Sequence, residues 1–176
     1  MKSAKKKIRS QGGFSLMEMV VSVFILALMS GIFLANYRFG SSGTALKNTA
    51  EKMASDIRLA QNYCLGARDF NGSSASGGWG AYVSKGTNTY IIFADQNQSG
   101  DRQTSEDYRA VSLPSDIEIS NIAGVSAVAT TIIFYPPDPE TRIDGAAAQV
   151  EITLRDKKTA QTYGILVNKM GLIEAR

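Results

Sequence analysis

Residues 13–37 read GFSLMEMVVSVFILALMSGIFLANY, and the fold turns on them, because an apolar run long enough to cross a bilayer carries an acid, Glu18, close to its start. As a helix, the 24 residues from Phe14 to Tyr37 would extend ~36 Å at 1.5 Å per residue, enough to cross a hydrocarbon core. Glu18 is their one charge. An unpartnered carboxylate costs on the order of 3 kcal/mol at the centre of a membrane helix and less toward the interface, so such an acid implies a function.

The flanks set the orientation. Lys2, Lys5, Lys6, Lys7 and Arg9 precede the run and nothing comparable follows it, so the positive-inside rule puts the N-terminus in the cytoplasm and the bulk of the chain outside it. A cleavable secretory signal fits poorly. The run exceeds the usual apolar core of about 7–15 residues, Glu18 interrupts it, and Phe33 stands where an A-x-A cleavage site needs a small residue. A plain anchor explains length and orientation but not Glu18.

Composition removes other classes. The 176 residues include four prolines and 44% hydrophobic side chains, which suits one globular domain plus an anchor. Net charge is +3, yet residues 14–176 hold fourteen basic and sixteen acidic groups, a net −2. The body therefore lacks the bulk charge of a polyanion-binding surface. A single cysteine, Cys64, excludes an internal disulfide and reads as a small core side chain; the absence of histidine removes the commonest general base and metal ligand. No G-x-S-x-G, Cys/His pairing or phosphate loop is present, so an enzyme is not expected.

Beyond Gly40–Thr44, where a break or joint is expected, apolar Leu46, Ala50, Met53, Ile57, Ala60, Cys64 and Ala67 recur at spacings of three and four among Lys47, Glu51, Lys52, Asp56 and Arg58. That predicts an amphipathic helix. Strands are predicted at 79–84, 89–94, 118–122, 130–135, 150–154 and 163–173, with a loop over Gly72–Gly78 and a turn at Pro136–Pro139. A helix followed by strands argues for an α+β fold, the stripe covering one face of antiparallel sheet. The expected organisation is a basic leader (1–13), a membrane helix (14–39), an amphipathic helix (40–71) and a β-rich soluble domain (72–176).

A basic leader, then Gly13, then Phe14-Ser15-Leu16-Met17-Glu18 opening a long apolar helix resembles the class III signal of type IV prepilins and type II secretion pseudopilins. The resemblance implies cleavage by prepilin peptidase between Gly13 and Phe14 on the cytoplasmic side, N-methylation of Phe14, and assembly with other pilin or pseudopilin subunits from the inner membrane. It implies for Glu18 a salt bridge to the N-terminal amine of a neighbouring subunit, and for the fold a long N-terminal helix packed on sheet. Asp56–Gln61, Gly78–Val83, Gly164–Val167 and Met170–Ile173 look like the H-type minor pseudopilins and T-type fimbrial minor pilins.

Two further sites are candidates. Asp95–Glu106 fits D-x-N-x-S-G-x5-E, with Asp95, Asn97, Ser99, Asp101 and Glu106 as oxygen ligands for Ca²⁺ and Gly100 at the sharp turn. Against it, Arg102 stands where an apolar residue is usual, and Asp, Asn, Ser and Gly fill ordinary strand-to-strand turns. DNA, a partner implied by some T-type minor pilins, would have to use Lys157, Lys158, Lys169 and Arg176, which are few and interleaved with acids.

Overall fold

The computed structural model describes residues 15–136, 140–144 and 147–176, with side chains throughout except over 35–42. The chain divides between Gly40 and Ser41 into two units. Helix α1, Leu16–Leu65, contributes to both.

In the first unit, Ser15 Oγ accepts the Met17 N–H at 3.2 Å, capping the helix start. From Leu16 to Leu34 every side chain is exposed, and the stretch is long and apolar enough to cross a membrane.

Among the described residues, the core lies in the second unit, and every buried apolar residue falls between Leu46 and Ile173. Its strands are β1 (Asp69–Phe70), β2 (Ser73–Ser74), β3 (Gly78–Ser84), β4 (Thr89–Asp95), β5 (Asp107–Ser112), β6 (Ile117–Ala123), β7 (Ala129–Tyr135), β8 (Glu140–Ile143), β9 (Gln149–Asp156), β10 (Thr162–Asn168) and β11 (Ile173–Ala175). They form a five-stranded sheet ordered β5-β4-β3-β7-β8, a four-stranded sheet ordered β11-β10-β9-β6 and the β1–β2 hairpin, antiparallel throughout. The predicted stripe Leu46, Ala50, Met53, Ile57, Ala60 and Cys64 is buried and joins both sheets in one core. Each larger apolar side chain buried this way contributes about 1.5–3 kcal/mol. The α+β arrangement of an N-terminal apolar helix and a helix packed on antiparallel sheet is thus the observed one.

Several local expectations are corrected. Backbone stays helical through Gly40–Thr44, so the break does not occur. The amphipathic helix ends at Leu65 rather than at 71, because Arg68 N–H reaches Tyr63 O and Ala67 N–H reaches Cys64 O, each at 3.0 Å. Those two bonds close a Schellman turn with Ala67 left-handed at φ 45. Ala67, assigned to the stripe, is therefore exposed. The loop predicted over 72–78 contains β2 and the first residue of β3. A single strand over 163–173 is instead β10 and β11, separated by a turn in which Asn168 Oδ1 accepts the N–H groups of Met170 and Leu172. β5 and β8 arise where no strand was expected. Of the predicted proline turn, Pro136 lies in a turn and residues 137–139 lie outside the described residues.

Candidate functional site

Three places were singled out from sequence: the N-terminal signal, the acidic turn between β4 and β5, and the basic residues considered for DNA. Gly13 and Phe14 lie outside the described residues. Glu18 stands in the first turn of α1, where the unsatisfied N–H groups and the helix dipole favour negative charge. A helix start alone thus stabilises Glu18 by ~0.3–1 kcal/mol near a surface, too little to offset a hydrocarbon environment of several kcal/mol. No ion pair reaches it among the described residues. Around it the helix is apolar on all sides and uncovered: Leu16 is 83% exposed, Phe24 64% and Phe33 73%. A helix of this kind is stable only in lipid or among other apolar helices.

In the acidic turn, Asp95 and Glu106 are buried while Asn97, Ser99 and Asp101 are exposed. Asp95 Oδ1 accepts the Ser99 N–H at 3.2 Å and Oδ2 the Gly100 N–H at 2.9 Å. Asn97 Oδ1 accepts the same Ser99 N–H at 2.9 Å, and Ser99 Oγ donates to Asp101 O at 3.0 Å. Glu106 Oε1 accepts the Gln96 N–H at 3.0 Å. Gly100 holds φ +76, the left-handed region that favours glycine, and a Cβ there would push the Arg142 guanidinium aside. Arg102 points away from the turn into a bidentate pair with Asp107, which raises its pKa by hydrogen bonding. Among the described residues no three of His, Cys, Asp and Glu gather into a metal-holding group.

The cations considered for DNA are mostly matched to carboxylates already: Lys157 to Glu118, Lys158 to Asp116 and Arg176 to Glu151. Counterion release requires unmatched cations spaced along a groove.

Other features escaped sequence reasoning. Asp56, assigned to the polar face of the helix, is buried; it accepts the Tyr90 hydroxyl at 2.6 Å and Arg109 Nη2 at 2.6 Å. Burial, and then the Asp56 carboxylate, push the Tyr90 phenol far above its usual pKa, so it remains a donor. Tyr63, Phe70, Trp79 and Tyr108 pack edge-to-face with centroids 4.9–6.3 Å apart, and the Arg68 guanidinium lies 4.0 Å from the Tyr63 ring centre. Their positions, spread over α1, β1, β3 and β5, share no sequence period. Two of the segments quoted for the subtype resemblance, Asp56–Gln61 and Met170–Ile173, touch: Arg58 Nη2 donates to Ile173 O at 2.5 Å and Gln61 Nε2 to Gly171 O at 3.1 Å.

An apolar helix exposed from Leu16 to Leu34 bears one acid in its first turn, and its later half, from Leu46, packs on antiparallel sheet. The family model for the prokaryotic N-terminal methylation motif matches residues 8–34. The chain thus carries the class III signal peptide of type IV prepilins and pseudopilins, which implies a processed subunit, handled by prepilin peptidase and starting from the inner membrane. No curated protein and no solved structure matches the chain.

Proposed function

We propose that the chain is a minor pilin or pseudopilin subunit, most like the H-type pseudopilins and T-type fimbrial minor pilins. Prepilin peptidase cuts between Gly13 and Phe14, Phe14 becomes the N-methylated first residue, and the chain from Phe14 onward enters a secretion pseudopilus or type IV pilus. Before assembly the apolar helix anchors the subunit in the inner membrane with its N-terminus cytoplasmic and the 41–176 unit outside. Glu18, fifth in the mature chain, meets the terminal ammonium of a neighbouring subunit.

The observation that carries this reading is the methylation motif over residues 8–34, opening a helix whose apolar surface is uncovered from Leu16 to Leu34. In a bundle of such helices the dielectric is low, so an ammonium and a carboxylate in contact attract strongly and either alone is penalised. The pair then favours one axial register over its neighbours, as buried polar groups do in helical assemblies. Mass spectrometry of the native N-terminus tests it: a methylated phenylalanine at Phe14 is expected, and an intact basic leader in assembled filaments rejects the reading. For Glu18, alanine substitution should leave cleavage intact and reduce incorporation into filaments; equal incorporation would remove its assigned role.

A further inference from the structure

We propose that the free edge of β5 is a docking strand for an extended acidic segment of a partner protein, which adds to the five-stranded sheet as one more strand. The two larger sheets end in four edges, β5, β8, β6 and β11, and a bare edge presents unpaired N–H and C=O groups that recruit other chains. Three of the four are covered. On β6, Ile119 O accepts the Gly86 N–H at 2.7 Å and the Ile119 N–H reaches Thr87 O at 2.8 Å. On β11, Arg58 of α1 donates to Ile173 O, and on β8 the Thr141 N–H reaches Lys169 O at 3.4 Å. At the end of β5 the Leu113 N–H donates to Asn88 O, so in the antiparallel register the rungs Tyr90–Val111 and Ile92–Arg109 carry the inward bonds. The N–H and C=O groups of Ala110 and Ser112 therefore point away from β4, and none of them has a partner among the described residues.

The edge is bounded and has a chemistry of its own. A bulge between Ile92 and Phe93 leaves Tyr108 out of register, which confines a new strand to residues 109–112 and those just after them. Beside that stretch runs a groove of about 380 Å³ whose walls include Tyr90, Val111, Leu113 and Pro114 of the sheet and Asn48 and Lys52 of α1. Side chains two apart on an added strand face the same side, so an apolar residue and an acid at that spacing would fill the groove and meet Lys52. Lys52 is exposed and has no ion pair among the described residues, whereas Arg109 is matched to Asp56 and Arg102 to Asp107. The unmatched charge at the edge is thus positive. A second copy of β5 would not supply the complement, because the one acid of DYRAVS, Asp107, is already held by Arg102. In strand addition the main-chain bonds give affinity and the side-chain groove gives selectivity. This site is independent of the filament role: failure of one leaves the other standing.

The test uses the full chain in detergent micelles and two capped, fluorescent octapeptides, (Thr-Val-Thr-Glu)₂ and (Thr-Val-Thr-Lys)₂, each presenting valine and one sign of charge on the same face. Fluorescence polarisation should show the glutamate peptide binding ~10-fold tighter than the lysine peptide, since one meets Lys52 and the other is repelled by it. At saturation the Ala110 and Ser112 amides should exchange with deuterium at least ~10-fold more slowly than in the free protein. Lys52→Glu, at an exposed position that spares the fold, should reverse the preference between the peptides. Ala110→Pro removes an outward N–H that the sheet itself does not use, so it should melt near the wild type and bind at least ~10-fold more weakly. Folded wild-type protein that binds neither peptide overturns the site, and so does a bound peptide that leaves the Ala110 and Ser112 amides unprotected. An unchanged preference in Lys52→Glu overturns it too, whether or not Ala110→Pro folds. A wild-type dimer that Ala110→Pro dissolves would assign the edge to a second copy and overturn the acidic partner.

Discussion

Replacing Asp56 by alanine tests how the second half of α1 is locked to the five-stranded sheet. The carboxylate accepts the Tyr90 hydroxyl at 2.6 Å in a buried setting and Arg109 at 2.6 Å. A hydrogen bond to a charged acceptor contributes about 1.5–3 kcal/mol, and its loss leaves a buried hydroxyl unsatisfied. The Arg109 side chain is 44% exposed, so its half of the network is solvated when Asp56 goes and adds at most ~1 kcal/mol. Alanine returns ~0.5 kcal/mol of helix propensity. Asp56→Ala should therefore cost about 2–3 kcal/mol. Since Phe needs no partner, Asp56→Ala/Tyr90→Phe should be hardly less stable than Asp56→Ala alone, a coupling of about 1.5–3 kcal/mol. Urea unfolding of residues 41–176, which contain every buried apolar residue among those described, measures both. Single-variant costs that add to within ~0.3 kcal/mol would show that the two groups do not depend on each other, and the reasoning would fall.

Three smaller perturbations probe backbone and charge. Ala67→Gly relieves a left-handed residue at φ 45, gaining ~1–2 kcal/mol and giving back ~0.4–1 in unfolded-state entropy; a net stabilisation of about 0.5–1 kcal/mol is expected in the same unfolding assay. Gly78→Ala places a methyl group on the Phe134 carbonyl oxygen of β7 at a residue with φ +97, so strain and overpacking together should cost about 2–5 kcal/mol, and a folded, near-wild-type variant would contradict that geometry. At Asp156, the N–H groups of Thr159 and Lys158, at 3.0 and 2.7 Å, hold the carboxyl below the usual carboxylate range. Its folded pKa being lowered, the stabilisation is complete above about pH 4 and disappears as pH falls through the lower folded value. Acid titration of Asp156→Asn should therefore lose less stability below about pH 4 than the wild type, and identical acid limbs would show that the turn does not hold the charge.

Which parts of this architecture were legible follows from where the information resides. The stripe Leu46–Cys64 was legible because a helix laid on a sheet must bury one face every 3.6 residues, β3, β4, β7 and β10 because they carry apolar runs, and β9 because Val150, Ile152 and Leu154 alternate with polar residues. β5 and β8 are the edges of the five-stranded sheet, where DYRAVS and ETRI face solvent in part and are short or charged, without the apolar pattern that made the edge strand β6 (IEISNIA) legible. The helix end misled because Ala67 continues the apolar spacing, whereas the Schellman bonds end the helix at Leu65 and leave Ala67 left-handed. Asp56 reads as surface on any helical projection, and only Tyr90 and Arg109, 34 and 53 residues further on, make its burial tolerable.

The candidate sites divide along the same line. Asp95, Gly100 and Glu106 were legible as a spacing, since one turn contains every atom involved, yet that Glu106 is sealed from water with an oxygen unmet depends on strands packed around it. Glu18 is the opposite case. Its position in an apolar helix is entirely local and was read from sequence, while the group proposed to meet it belongs to another molecule and is created only when the bond after Gly13 is cut. No fold of a single chain supplies that ammonium. The exposed carboxylate in the first turn of α1 thus marks a requirement that assembly, rather than folding, is proposed to fulfil.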